Sequence, residues 1–136
     1  TKAGRYGVHF VATAKLKKTY NPRRGLSGFP VLVPTRESAL RRELDRWWAE
    51  NGILPQIRAE FDDAAAMCEL AASGIGAAPV LDPVLNDVLK RYGLHKLPIK
   101  MGIHEELFVV TAERQFSQEG PRMIARIASS FSKGIR

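Results

Sequence analysis

Cysteine is nearly absent from this chain of 136 residues: Cys68 is alone, so no disulfide can staple the fold from within. That excludes the small disulfide-framed secreted scaffolds and fits a reducing cytoplasm, the expected compartment. Long apolar runs are lacking too. None approaches the about twenty charge-free residues that cross a bilayer as a helix. Thr1 to Tyr6 resemble a basic leader only briefly, because Lys15, Lys17 and Lys18 end the following apolar stretch too early for a signal peptide. No internal repeat or low-complexity segment is present. Also missing are a zinc-finger spacing, a helix-turn-helix, an RNA-binding motif, a G-x-S-x-G elbow and a phosphate-cradling glycine loop. The histidines, His9, His95 and His104, show no ligand spacing. No metal and no cofactor is therefore expected.

What remains is an ordinary globular composition, 45% hydrophobic, in a length that suits one compact domain. The net charge of +7 attracts nucleic acid or anionic ligands without showing that either is bound. Its positive charge is spread along the chain, with small clusters at Lys15/Lys17/Lys18 and Arg23/Arg24. Only Tyr20 lies between those clusters, so a base-stacking platform is weakly supported.

Hydrophobic periodicity divides the chain into alternating elements. VHFVAT (8–13) reads as a short strand, and the polar, Pro- and Gly-bearing KLKKTYNPRRGLSG as a connection. FPVLVP (29–34) is a continuous apolar run, as in a strand buried on both faces of a parallel sheet. A helix is expected from about Arg36 to Asn51, capped by Thr35 or Ser38, with Leu40, Leu44, Trp47 and Asn51 on one stripe widened by Trp48. Glu37 with Arg41, and Arg46 with Glu50, are spaced to pair on its solvent side. Gly52 suits the left-handed residue after its end. QIRAEF (56–61) alternates like a strand. Asp62 or Asp63 caps a helix carrying Ala65, Met67, Cys68, Leu70 and Ala71, which Gly74 closes. IGAAPV leads into a further strand. Asp82 and Pro83 open a helix that turns Val84, Leu85, Val88 and Leu89 inward and stops at Gly93. LHKLPI (94–99) is extended, ELFVVTAE (106–113) is a late strand, and a last helix from near Pro121 presents Met123, Ile124, Ile127, Ala128 and Phe131. This order predicts an α/β fold with a mostly parallel sheet and flanking helices.

The chemistry-bearing feature is VLVPTRES (31–38), where a buried strand stops and a helix starts at once. Strand C-terminal ends and helix N-termini form the ligand edge of open α/β sheets. Free amides there favour an anion, Thr35 and Ser38 add hydroxyls, and Arg36 adds a positive charge. The plainer alternative has Thr35 and Ser38 only capping and Arg36 in water. Asp62 and Asp63 read as a cap with a helix-dipole partner rather than a metal or acid–base pair. GIGAAP (74–79) is too short for a dinucleotide fingerprint, and its small residues suit close packing, including along a cleft.

From position 29 onward the sequence resembles the second half of a LysR-type effector domain. The resemblance rests on LSGFPVLVPTRESALRRELDRWWAENGILPQIRAEFDDAAAMCELAASGIGAAPV and EELFVVTAER, in that order and spacing. LRRELDRWW, EFDD and TAER are closest in wording to the branch that includes the sodium/proton antiporter regulator. GVHFVATAKLKKTY (7–20) resembles the crossing into the second lobe. The resemblance implies a type 2 periplasmic-binding-protein-like domain of two lobes. A small-molecule or ion effector binds between the lobes, and a homo-oligomer holds promoter DNA through an N-terminal winged helix-turn-helix that this sequence does not contain. Residues 1–7 would be residual upstream linker, 8–113 lobe two, and 114–136 a segment that packs back on lobe one. Thr35, Arg36, Ser38, Gly74, Ile75 and Gly76 would then touch the effector. Leu40, Leu44, Trp47 and Trp48 would lie on a dimerisation helix. No membrane contact and no catalysis is implied.

Two other readings share the α/β pattern. A solute-binding or transport-associated lobe predicts an export signal. A small α/β enzyme predicts a converging group of His, Asp and nucleophile, and the sequence marks none.

Overall fold

The computed structural model describes residues 5–99 and 110–111. Its strands are β1 (Arg5–Tyr6), β2 (Val8–Ala12), β3 (Pro30–Pro34), β4 (Gln56–Phe61), β5 (Ala78–Leu81), β6 (His95–Lys96) and β7 (Val110–Thr111). Its helices are α1 (Ala14–Lys17), α2 (Ala39–Glu50), α3 (Ala64–Ala72) and α4 (Asp82–Tyr92). β7 falls inside the strand expected at 106–113; the rest of that strand and the helix expected from Pro121 lie outside the described residues.

β3 and β4 pair in parallel, while β2 pairs antiparallel with both β5 and β6. One parallel bridge, Val31 to Ala77, joins the two groups, with Leu32 N donating to Ala77 O at 2.8 Å and Ala77 N to Pro30 O at 3.0 Å. The strand order is therefore β4-β3-β5-β2-β6, with β2 running against the others. The α/β fold with flanking helices holds, but the sheet is mixed where a mostly parallel one was expected: β4-β3 and β3-β5 are parallel, and β2, the strand read at 8–13, is antiparallel to both of its neighbours. β1 and β7 form a separate antiparallel pair.

Right-handed crossovers decide where the helices go. The chain steps outward from β3 to β4 through α2, then back across β3 to β5 through α3. Opposite steps of the same hand put α2 on one face and α3 on the other. α4 steps the same way as α3, and the two helices pack together.

The core lies between these layers. Val31, Leu32 and Val33 are fully buried, as a continuous apolar strand in mid-sheet requires. On α2, Leu40, Leu44, Trp47 and Trp48 turn inward, and the Trp48 ring stands 6.2 Å from that of Phe10. Asn51, expected on the same stripe, caps the helix end and is exposed, and Gly52 follows with φ 65°. α3 buries Ala64, Met67, Cys68 and Ala71; its alanines let the helix lie close on β3. α4 buries Val88, with Val84, Leu85 and Leu89 half-buried against the core. β4 is an outer strand whose side chains are largely exposed, including Ile57.

Candidate functional site

Because β3, β4 and β5 are parallel, their three strand-to-helix junctions fall on one edge of the sheet. At the first, Ser38 caps α2: its Oγ accepts from Leu40 N at 3.1 Å and Arg41 N at 3.3 Å. The Thr35 backbone closes the turn, its N donating to Phe61 O at 2.9 Å and its O accepting from Ser38 N at 3.0 Å. The β3 and β4 ends are thus tied together. Ser38 Oγ spends its acceptor capacity on the helix, and its hydroxyl retains one hydrogen that can be donated. Arg36 and Glu37 are exposed beside it.

At the second junction Asp63 is the cap, its Oδ1 accepting from Ala65 N at 2.9 Å. At the third, α4 has no side-chain cap; Asp82 turns its carboxylate back to the start of β2. One oxygen accepts from Gly7 N at 2.8 Å, the other bonds His9 Nε2, and Asp82 N donates to Gly7 O at 3.1 Å. The junction from β5 to α4 is thereby pinned to β2, the strand by which the chain enters the sheet. In the sequence His9 has no ligand spacing and no marked partner. The His9–Asp82 contact is set by strand register (His9 opposite Val80), which no local spacing reveals.

Arg41 is the other residue that sequence reasoning missed. Helical spacing pairs it with Glu37 in solvent, yet it is 3% exposed. Its Nε donates to Asp45 at 3.0 Å, and one terminal nitrogen donates to Pro34 O at 2.9 Å and Glu60 at 3.0 Å. One planar fork thus joins α2, the end of β3 and β4 directly under the Thr35–Ser38 turn. Burial pulls the Arg41 pKa down, but hydrogen bonds and charge from Asp45 and Glu60 prevail, so it stands above its ordinary value. Arg46 pairs with Glu43, not with Glu50 as spacing suggested.

The six expected ligand residues divide between two edges. Thr35, Arg36 and Ser38 lie where β3 ends. Gly74, Ile75 and Gly76 lead into β5, which runs parallel to β3, so they sit beside its start at Pro30 and Val31. The intervening strand separates the groups by about 13 Å. Within the glycine segment only Gly76 is closely packed: a Cβ on it would stand 3.1 Å from Pro30 O, whereas one on Gly74 would meet nothing within 4 Å and Ile75 is exposed. The four residues expected at an oligomer contact are in the core, at 0% (Leu40, Leu44), 1% (Trp47) and 4% (Trp48) exposure. They leave no side-chain surface for a second chain.

Cys68 is a free, buried thiol whose pKa is pushed from 9.0 to about 12 by burial and then by the charge of Asp63. It is held protonated and unreactive. Among the described residues no group of three or more His, Cys, Asp or Glu side chains is placed to hold a metal ion. None of the described helices is long and apolar enough to cross a membrane.

A family model described as LysR substrate binding domain matches residues 9–125. No curated protein matches the sequence. Among solved structures, the effector binding domain of QuiR in complex with shikimate superposes with a TM-score of 0.56 at 18% identity, over 73% of this chain and 47% of that one. The regulatory domain of CcmR from Synechocystis PCC6803 in complex with 2-PG gives 0.60 at 16% identity, over 74% and 50%. The full-length structure of HypT from Salmonella typhimurium, a hypochlorite-specific LysR-type transcriptional regulator, gives 0.57 at 16% identity, over 74% and 34%. The chain thus spans about half the length, or less, of these structures, and at such identities they show a shared fold.

Proposed function

This chain belongs to the LysR substrate-binding domain family, and from that premise we propose that it is lobe two of a regulator's effector domain, binding a small anion at the edge where β3, β4 and β5 end. The observation that carries the reading is the Thr35–Ser38 turn. It offers a hydroxyl hydrogen on Ser38 and the exposed guanidinium of Arg36 at a helix N-terminus, on a platform fixed by Arg41. The role is binding and relay, without turnover. Of Gly74, Ile75 and Gly76, whose edge faces away from that turn, Gly76 takes a supporting part by letting β5 lie close against β3.

In this reading residues 8–113 make up the lobe and 114–136 pack toward lobe one. The effector closes the two lobes, and that movement changes how a cytoplasmic homo-oligomer sits on promoter DNA, which a separate domain of the regulator reads. With the inner side of α2 buried, the oligomer contact falls to outer surfaces. β4 suits this as an outer strand carrying exposed Ile57 (41%) beside exposed Leu54 (81%).

The test is amide chemical-shift mapping of the chain against a panel of small carboxylates and phosphates. Shifts clustered at 35–38, 62–63 and 82, lost in Ser38→Ala and Arg36→Ala, are expected. A cluster at 74–76 with no change at 35–38 would overturn the site.

A further inference from the structure

The edge opposite the candidate ligand site has a separate character. No acidic residue occurs in the chain before Glu37. β2 runs toward this opposite edge and delivers α1 there, with Lys15, Lys17 and Lys18. The pairing of Ala12 with His95 brings the start of β6 and the end of α4 to the same place, adding Lys90, Arg91 and Lys96. The loop before β3 carries Arg23 and Arg24 to the next part of that edge, where Gly28 N donates to Leu54 O at 2.8 Å. All but half-buried Lys17 are exposed. Among the described residues, the acids toward this end are Glu50 at the close of α2, exposed Glu69 late on α3, close enough for its charge to act on Tyr92 at the end of α4, and Asp87, which pairs with Arg91 at 3.4 Å.

We infer that this basic edge is a docking surface for the phosphate backbone of duplex nucleic acid. Five strands side by side make an edge about 19 Å wide. That length of duplex axis carries on the order of eleven phosphates, about half of them facing one side. A row of cations from several elements matches such a rod better than one small anion. Base readout has no support here: Tyr20, the aromatic residue between the two basic clusters, is buried and packs edge-on against Phe29 at 5.5 Å. Recognition therefore rests on charge, with a duplex favoured over a single strand that needs stacking. The inference is independent of the effector reading, and it gives this lobe a contact with nucleic acid of its own.

The experiment is fluorescence anisotropy of a labelled random-sequence DNA duplex titrated with the 136-residue chain. If about five phosphates are neutralised, affinity falls roughly 500-fold between 50 and 200 mM salt. Lys15→Glu with Lys18→Glu should weaken binding about tenfold or more and lower the salt slope by about two. Arg42→Glu with Arg46→Glu, an equal charge change on exposed α2 positions, should alter it less than about threefold. Thermal melting confirms that each variant is folded. Absence of duplex binding at 50 mM salt overturns the inference. So does equal weakening by the α2 pair, because binding would then follow net charge alone. Tighter binding to a single strand, or to phosphatidylserine vesicles in place of the duplex, overturns it as well.

Discussion

Replacing Arg41 by Met tests whether the fork beneath the Thr35–Ser38 turn holds the site together. Met keeps much of the buried apolar stem and removes every donor. The carboxylate partners are half-exposed, at 49% for Asp45 and 42% for Glu60, so water replaces the guanidinium and each loss costs about 0.5–1 kcal/mol. The Pro34 carbonyl is different: it is buried and would lose the donor at 2.9 Å, for about 1–3 kcal/mol. Together the substitution should cost about 3 kcal/mol, which in a chain of this size lowers Tm by about 10 °C. Arg46→Met removes only a surface pair with a 60% exposed guanidinium and should cost less than about 0.5 kcal/mol. Arg41→Lys should fall between, since one ammonium cannot hold three acceptors in a planar fork. Urea denaturation of the three variants gives the comparison. A neutral or stabilising Arg41→Met, as happens when packing gains exceed the cost of burying charge, would refute the clamp.

Ser38→Ala should cost about 1 kcal/mol by removing the α2 cap, whereas Ser38→Thr keeps most of it, read by thermal melting. Gly76→Ala should cost about 1–2 kcal/mol, because its Cβ meets backbone atoms of Pro30 and Val31 at 3.1–3.3 Å; Gly74→Ala meets nothing but has φ +93°, for about 1 kcal/mol. Cys68 should resist thiol reagents until the chain unfolds. Its raised pKa also makes stability fall with rising pH: the folded thiol keeps its proton while the unfolded one releases it above 9.0. The contribution is complete below pH 9 and is lost as pH climbs toward 12. Between pH 8 and 10 the loss is about 1.4 kcal/mol, and it should vanish in Cys68→Ala. Buried Tyr20, raised by desolvation, steepens the same trend above pH 10 in both proteins.

The elements were legible wherever burial imposes a period. FPVLVP declared a strand buried on both faces, and Leu40, Leu44 and Trp47 declared the inner stripe of α2, because each face meets a neighbouring layer. Caps were legible to within a few positions: of Thr35 or Ser38 the cap is Ser38, so α2 starts at Ala39 and not near Arg36, and of Asp62 or Asp63 it is Asp63. What could not be read depends on register and direction. Arg41 stands one position after Leu40 and looks like a solvent residue until Glu60, nineteen positions away, is placed beside it. The β2 direction had no local signal either, since antiparallel and parallel strands can carry the same apolar run. Its reversal brings His9 to Asp82 and sends α1 to the far edge.

Strand direction also accounts for the division of the expected ligand residues. In a parallel pair, a residue entering one strand lies beside a residue entering the other, so a segment before β5 cannot share an edge with a segment after β3. The partner of Thr35–Ser38 across the sheet is therefore the exit of β5, Leu81 and Asp82, and not its entrance at Gly74–Gly76. Asp82 there is tied to Gly7 and His9, on the strand by which the chain enters the lobe. An anion approaching Arg36 and Ser38 would meet the negative charges of Asp62, Asp63 and Asp82 along the same edge. Neutralising one of them with Asp62→Asn, an exposed position with no hydrogen bond to a helix amide, should tighten binding of a small anion by about 0.3–1 kcal/mol, read by calorimetry. Weaker binding would mean that the edge selects a cationic group, and the assignment of charge to the effector would reverse.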